Sequence, residues 1–206
     1  YTVRNTLSLH DALPISIGNR EALARLGRLA DLFLLHDRDI LIRADDSVCR
    51  VVREADGPAR TQFLRRARGF TPRPVFLAGL GADGGPTVLG TGPELKNTLC
   101  LTKGDQAFVS QHIGDMENLE TLGFFQEMEA HLKDILRVAP QLVVHDLHPD
   151  YLTTRWAAEQ AARAETGAPT LALQHHAAHA FSVLAENEFA GRAMVLALDG
   201  TGFGED

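Results

Sequence analysis

Cysteine is scarce in this sequence, with Cys49 and Cys100 the only two in 206 residues. Two thiols cannot build a disulfide framework or a four-thiolate zinc site, and such usage fits a reducing compartment, so a cytoplasmic location is expected. Positive charge is also in deficit. Twenty Lys and Arg stand against 27 Asp and Glu, a formal net charge of −7, which leaves no basic footprint for a phosphate backbone, and no nucleic-acid partner is expected. No apolar run approaches the ~20 residues that a membrane helix requires. The first residues lack the basic-then-apolar order of a secretory signal, so no membrane partner is expected either. What is plentiful is ordinary core-forming material. Hydrophobic residues make up 45% of the chain, enough for one domain or two small ones.

Neither end reads as a natural terminus. Residues 1–16, YTVRNTLSLHDALPIS, resemble a translated sequencing adapter and are expected to contribute nothing to the core, so His10 and Asp11 are assigned no function. At the other end the chain stops at GTGFGED, directly after the apolar run Met194 to Leu198. A strand and loop left there suggest an internal piece of a longer protein.

Between the ends, the pattern gives two blocks. Leu23, Leu26, Ala30 and Phe33 recur at helical spacing over Glu21 to Leu35. Short strand-like runs follow at Ile40 to Ile42, Val48 to Val52 and Gln62 to Leu64. The stretch TPRPVFLAGLGADGGP, Thr71 to Pro86, is dense in glycine and proline and reads as the boundary. Beyond it come strands at Thr87 to Leu89, Thr98 to Thr102 and Ala107 to Ser110. A long helix is marked by Leu119, Leu122, Phe125, Met128, Leu132 and Ile135, with Asp115 or Asn118 as cap. Leu142 to Val144 and Thr170 to Leu173 read as strands, Thr153 to Thr166 and His175 to Glu186 as helices. Three strands followed by alternating helix and strand is an α/β arrangement, the order of a ribonuclease-H-like lobe in the actin and sugar-kinase superfamily.

His175 and His179, four residues apart at the start of an alanine-rich helix, fall on one face and could share a metal ion. The plainer reading is two polar residues near a helix start. His176 points about a hundred degrees away and reads as a supporting residue. Asp199, after an apolar strand, opens DGTGFGED, where a carboxylate could bind a cation and Gly200, Gly202 and Gly204 could bring N–H groups to an anion. A simple tight turn fits as well. In GTGPELKNT, Lys96 and the Asn97 amide could meet a phosphate, or form only a polar hairpin turn. His112, Asp115, Asp146, His148 and Asp150 lie at strand ends, where ligands gather in open α/β sheets, although capping and turn formation suit Asp115 and Asp150. Ser47, in DDSVCRVV, precedes Arg65, Arg66 and Arg68, which could hold a nucleotide phosphate or form a solvated face.

Taken in series, GPELKNTLCL, SQHIGDMENLET, HDLHPDYLTTR, LQHHAAHAFSVLAEN and LALDGTGFGED resemble the hydrogenase-maturation carbamoyltransferases in order and spacing. DDSVCRVV and RRARGFTP fit too, so the resemblance covers Ile17 to Asp206. It implies a tail of a YrdC-like domain over residues 17–76, a linker over 77–86, and over 87–206 the first ribonuclease-H-like lobe of an actin-like, sugar-kinase-type transferase domain. Implied cofactors are ATP and a divalent metal ion, with iron, zinc or magnesium all possible. The implied partners are carbamoyl phosphate and a maturation protein whose C-terminal cysteine receives the carbamoyl group from carbamoyl adenylate. Position by position, Ser47 and Arg66 fall in the nucleotide region of the YrdC-like part, and His175, His179 and Asp199 fall where the transferase domain holds its metal. One departure is Ala177, where the family usually carries a third histidine. A relative of the tRNA threonylcarbamoyl transferases is an alternative, as is a non-catalytic nucleotide-binding or docking module.

Overall fold

The computed structural model describes residues 16–53, 57–77, 84–163, 167–200 and 202–204. The expectation that residues 1–16 stay out of the core therefore lies outside the described residues, except for Ser16, which is half-buried.

Helix α1 (Asn19–Leu26) is shorter than its apolar spacing predicts. Gly27, a poor helix former, stands at its end with its N–H bonded to the Leu23 carbonyl at 3.1 Å. No α1 residue is buried, so no packing face extends it towards Leu35. The expected strand at Ile40 to Ile42 is absent, and Ile42 instead packs, partly buried, against the main core. The next two expected strands form. β1 (Val48–Val52) and β2 (Arg60–Arg65) pair antiparallel, Cys49 opposite Phe63 and Val52 opposite Arg60.

The remaining strands build one six-stranded sheet. They are β3 (Val75–Phe76), β4 (Val88–Gly90), β5 (Cys100–Lys103), β6 (Gln106–Val109), β7 (Leu142–Asp146) and β8 (Thr170–Leu173), in the order β3-β6-β5-β4-β7-β8. β5 and β6 need only a tight turn, where Gly104 takes φ +61°. β7 and β8 run parallel to β4 and so require crossovers. Helices α2 (Leu119–Leu136) and α3 (Leu152–Arg163) supply them. This is the expected ribonuclease-H-like order, with one difference in where it starts. Val75 and Phe76, which composition places in the glycine- and proline-dense boundary, form the edge strand of the second sheet, opposite Ala107 and Gln106. Backbone pairing overrides the punctuation that glycine and proline provide.

Register decides the core. Phe108 lies opposite Leu101, Leu101 opposite Leu89, and Leu89 opposite Val143. All four are buried, forming a continuous apolar row across the sheet. α2 lays Phe124, Phe125, Met128, Leu132 and Leu136 into the same core. Phe125 meets Trp156 of α3 edge to face, ring centroids 5.0 Å apart, which ties the two crossover helices together. Two residues of the expected α2 stripe fall outside it: Leu119 is 77% exposed and Ile135 45% exposed. Of the two candidate caps, Asn118 is used. Its Oδ1 accepts from the Thr121 N–H at 2.9 Å and the Thr121 hydroxyl at 3.2 Å. Asp115 instead accepts from the Glu117 N–H at 3.3 Å, a turn contact.

After β8 the chain enters α4 (His175–Glu186), as expected. The apolar run Met194 to Leu198 does not form the expected strand, and Met194, Leu196 and Leu198 are exposed. A strand requires a partner ladder, and none among the described residues offers one.

Candidate functional site

The parallel strands end on one side of the sheet, and β7 and β8 deliver their last residues together. Asp146, the final residue of β7, lies opposite Leu173, the final residue of β8. Gln174 then caps α4, its side chain accepting from the Ala177 N–H at 2.9 Å, so His175 and His179 occupy the first two turns of that helix. Ala177, whose N–H the cap engages, thus sits in the first turn of that helix.

Asp199 reaches this helix face. Its Oδ2 is 2.8 Å from His175 Nε2 and 3.2 Å from His179 Nε2. The candidate ligand atoms of all three residues lie within 4.8 Å of one another. Two imidazole nitrogens and one carboxylate oxygen, with the remaining directions open, are a donor set suited to a divalent cation that also binds substrate. The rings of His175 and His179 stand 4.9 Å apart at 75°, so one cation can address both without the rings stacking.

The second nitrogen of His175 is held as well. Its Nδ1 is 2.7 Å from Asp146 Oδ2. Burial disfavours the charged His175 ring, but hydrogen bonds and charge from Asp146 and Asp199 outweigh it and raise its pKa above the usual histidine value. Contacts with His175 and then His179 hold Asp199 below the usual carboxylate range. Sequence reasoning placed Asp146 at a strand end without a role. The signal for one was its polarity after a buried strand, but its partner lies 29 residues along the chain.

The glycine turn behaves unevenly. Gly200 donates its N–H to Asp199 Oδ1 at 2.8 Å, and a β-carbon on it would meet nothing within 4 Å. At Gly202 a β-carbon would fall 2.5 Å from His176 Nε2, so glycine is needed for close approach to that ring. Nearby, His148 stacks on Tyr151 at 4.3 Å and meets Phe203 edge-on at 5.1 Å. Asp150 pairs with Arg155 at 2.7 Å, a local contact. Burial, followed by the charges of Asp146, Glu94 and Asp199, raises the Tyr151 pKa.

Four expected binding residues fall elsewhere. Asn97 is fully buried, its amide donating to the Thr91 and Pro93 carbonyls at 2.9 and 2.7 Å. It braces the turn and presents no amide to a phosphate. Lys96, beside it, is exposed. Arg66 donates to the carbonyls of Val109, Phe70 and Arg73 at 3.2, 2.7 and 2.7 Å, which commits its fork to the main chain. The Ser47 hydroxyl donates to the Arg68 carbonyl and accepts from the Ala67 N–H, both at 2.9 Å. Ser47 and Arg66 thus each fasten neighbouring main-chain segments together. His112 is half-buried; burial first, then the Arg65 charge, lowers its pKa.

The fold is an actin-like, sugar-kinase-type lobe whose strand ends present a His–His–Asp cluster. The HypF Kae1-like domain family matches residues 83–186, and the chain belongs to the HypF family. It is 54% identical over 195 residues to Carbamoyltransferase HypF2 of Cupriavidus necator, a match that covers 94% of this chain and 23% of that protein. It is 48% identical to Carbamoyltransferase HypF of Rhizobium leguminosarum bv. viciae, covering 94% of this chain and 24% of that one. The chain thus spans about a quarter of the length of these relatives. Among solved structures, full-length HypF in a phosphate- and nucleotide-bound form superposes with a TM-score of 0.83 at 38% identity, over 95% of this chain and 29% of that one. HypF from T. kodakarensis gives 0.75 at 38% identity, over 87% and 22%.

Proposed function

We propose that this chain is the metal-holding part of a carbamoyltransferase of [NiFe]-hydrogenase maturation. In that reading ATP and carbamoyl phosphate yield carbamoyl adenylate, and the carbamoyl group passes to the C-terminal cysteine of a partner maturation protein in the cytoplasm. The thiolate sulfur bonds to the carbamoyl carbon as the bond from that carbon to the adenylate phosphate oxygen breaks, and AMP leaves. Residues 17–76 would come from the tail of the YrdC-like domain and 87–206 from the first lobe of the transferase domain.

The observation that carries the proposal is the convergence of His175 Nε2, His179 Nε2 and Asp199 Oδ2 at the carboxyl ends of the parallel strands. These three residues would hold a divalent cation, iron, zinc or magnesium, whose chemistry is electrostatic stabilisation of the phosphate or carbonyl oxygens. The chain's own contribution is placement. α4 fixes the two imidazoles one turn apart, and the bare Gly200 backbone leaves room for a phosphate beside Asp199. Nucleotide binding by the solved full-length HypF agrees with an adenylate donor.

The test uses the full-length enzyme. Replacing His175 or His179 with alanine is expected to abolish carbamoyl transfer to the partner cysteine while carbamoyl-adenylate formation stays near the unsubstituted level, because adenylation belongs to the other domain. Loss of both steps together, or of neither, overturns the assignment.

A further inference from the structure

Asp146 is nearly sealed from solvent, its side chain 5% exposed, and the side chain it pairs with is a histidine, His175. Buried carboxylates are costly unless every lone pair is satisfied by donors. Both oxygens are in fact used: Oδ1 accepts the His148 N–H at 2.8 Å and Oδ2 faces His175 Nδ1 at 2.7 Å. The backbone around it is pinned too. Leu147 donates to the Leu173 carbonyl at 3.0 Å, and the Thr154 hydroxyl donates to the Asp146 carbonyl at 3.1 Å. A carboxylate fixed at both oxygens and through its main chain is a rigid acceptor aimed at one ring nitrogen.

We infer that Asp146 is the positioning residue of the site, holding the proton of His175 on Nδ1 so that the Nε2 lone pair faces the cation. Two features separate this from a chance contact. The His175 side chain is only 13% exposed, whereas that of His179 is 54% exposed. His175 is therefore the ligand whose orientation is set in advance, and His179 the one that adjusts. The contact also depends on tertiary register, since Asp146 meets His175 only because β7 and β8 end side by side. A hydrogen bond from the outer nitrogen of a histidine ligand to a carboxylate fixes ring orientation and raises the basicity of the bound nitrogen. Removing such a partner typically weakens metal affinity about 10- to 100-fold.

The inference rests on the metal reading proposed above, and the experiment separates the two. Metal-depleted full-length enzyme is titrated with Zn2+ against a competing chelator, for the unsubstituted protein and for Asp146→Asn, Asp146→Ala and His175→Ala. Thermal unfolding of the metal-free forms is recorded in parallel. The expected result is that His175→Ala loses this one site from the Zn2+ titration, while Asp146→Asn keeps it with affinity lowered about 10- to 100-fold. If Asp146→Ala does not fold, the nearly isosteric Asn variant still decides. A lower unfolding temperature with unchanged Zn2+ affinity in Asp146→Asn would mean a purely structural role and overturn the inference. Unchanged Zn2+ binding in His175→Ala would instead overturn the metal reading beneath it.

Discussion

At the scale of single residues, the two cysteines show how environment rather than residue type sets chemistry. Burial pushes the Cys100 thiol up to about 11, against the opposing pull of the Arg66 charge. With that value, the thiolate fraction at pH 8 is on the order of 10⁻³, and the thiolate is the reactive form. Cys49 lies on β1 and is exposed. A disulfide-exchange reagent at pH 8 is therefore expected to titrate one thiol rapidly in the folded chain and both in denaturant. Rapid modification of two thiols in the native state would contradict the raised pKa of Cys100. The same logic of environment governs Asn97, whose phosphate-binding chemistry is sound in sequence but whose burial directs it to two carbonyls.

At the scale of elements, local rules act where nothing opposes them. α2 starts at Asn118 because the side chain satisfies a first-turn N–H that the helix itself leaves unpaired. Asn118→Ala is expected to lower stability by about 1 kcal/mol, measured by chemical unfolding, while Asp115→Ala, outside the cap, should have a smaller effect. Equal losses from both would mean that Asn118 is not the operative cap. α2 also ends on a local device, with Arg137 in the left-handed region at φ 54° and its N–H bonded to the Lys133 carbonyl. Where tertiary contacts are missing, periodicity alone does not make an element. The Glu21 to Leu35 pattern yields only an eight-residue helix with nothing buried, and Met194 to Leu198 is extended chain without a ladder.

Across the whole molecule, side-chain to main-chain fasteners link the β1–β2 side to the six-stranded sheet. Arg66 reaches Val109 of β6, and the His112 N–H returns to the Arg66 carbonyl at 3.1 Å. Gln111 accepts from the Asp45 N–H at 3.2 Å and donates to the Arg43 carbonyl, while Arg43 pairs with Glu127 of α2 at 2.6 Å. Burial first, then the neighbouring Arg73 charge, lowers the Arg66 pKa, yet three carbonyl acceptors hold the guanidinium in place. Arg66→Ala is expected to cost about 2 kcal/mol of stability, read from denaturant unfolding. Arg66→Lys should recover only part of it, because a single ammonium cannot reproduce the planar fork. An Arg66→Ala chain of unchanged stability would mean that these three carbonyl contacts do not brace the fold.

What the sequence determined by itself was local or periodic. The His175 and His179 pair is legible because helical spacing alone puts residues four apart on one face. The α/β order is legible because hydrophobic period switches between strand and helix along the chain. The membership of Val75 and Phe76 in the second sheet, the use of Asn97 and Arg66 as braces, and the pairing of Asp146 with His175 were decided only by tertiary structure. Each depends on strand register or burial between segments far apart in sequence, where pairing a backbone group or satisfying a buried charge outweighs any local preference.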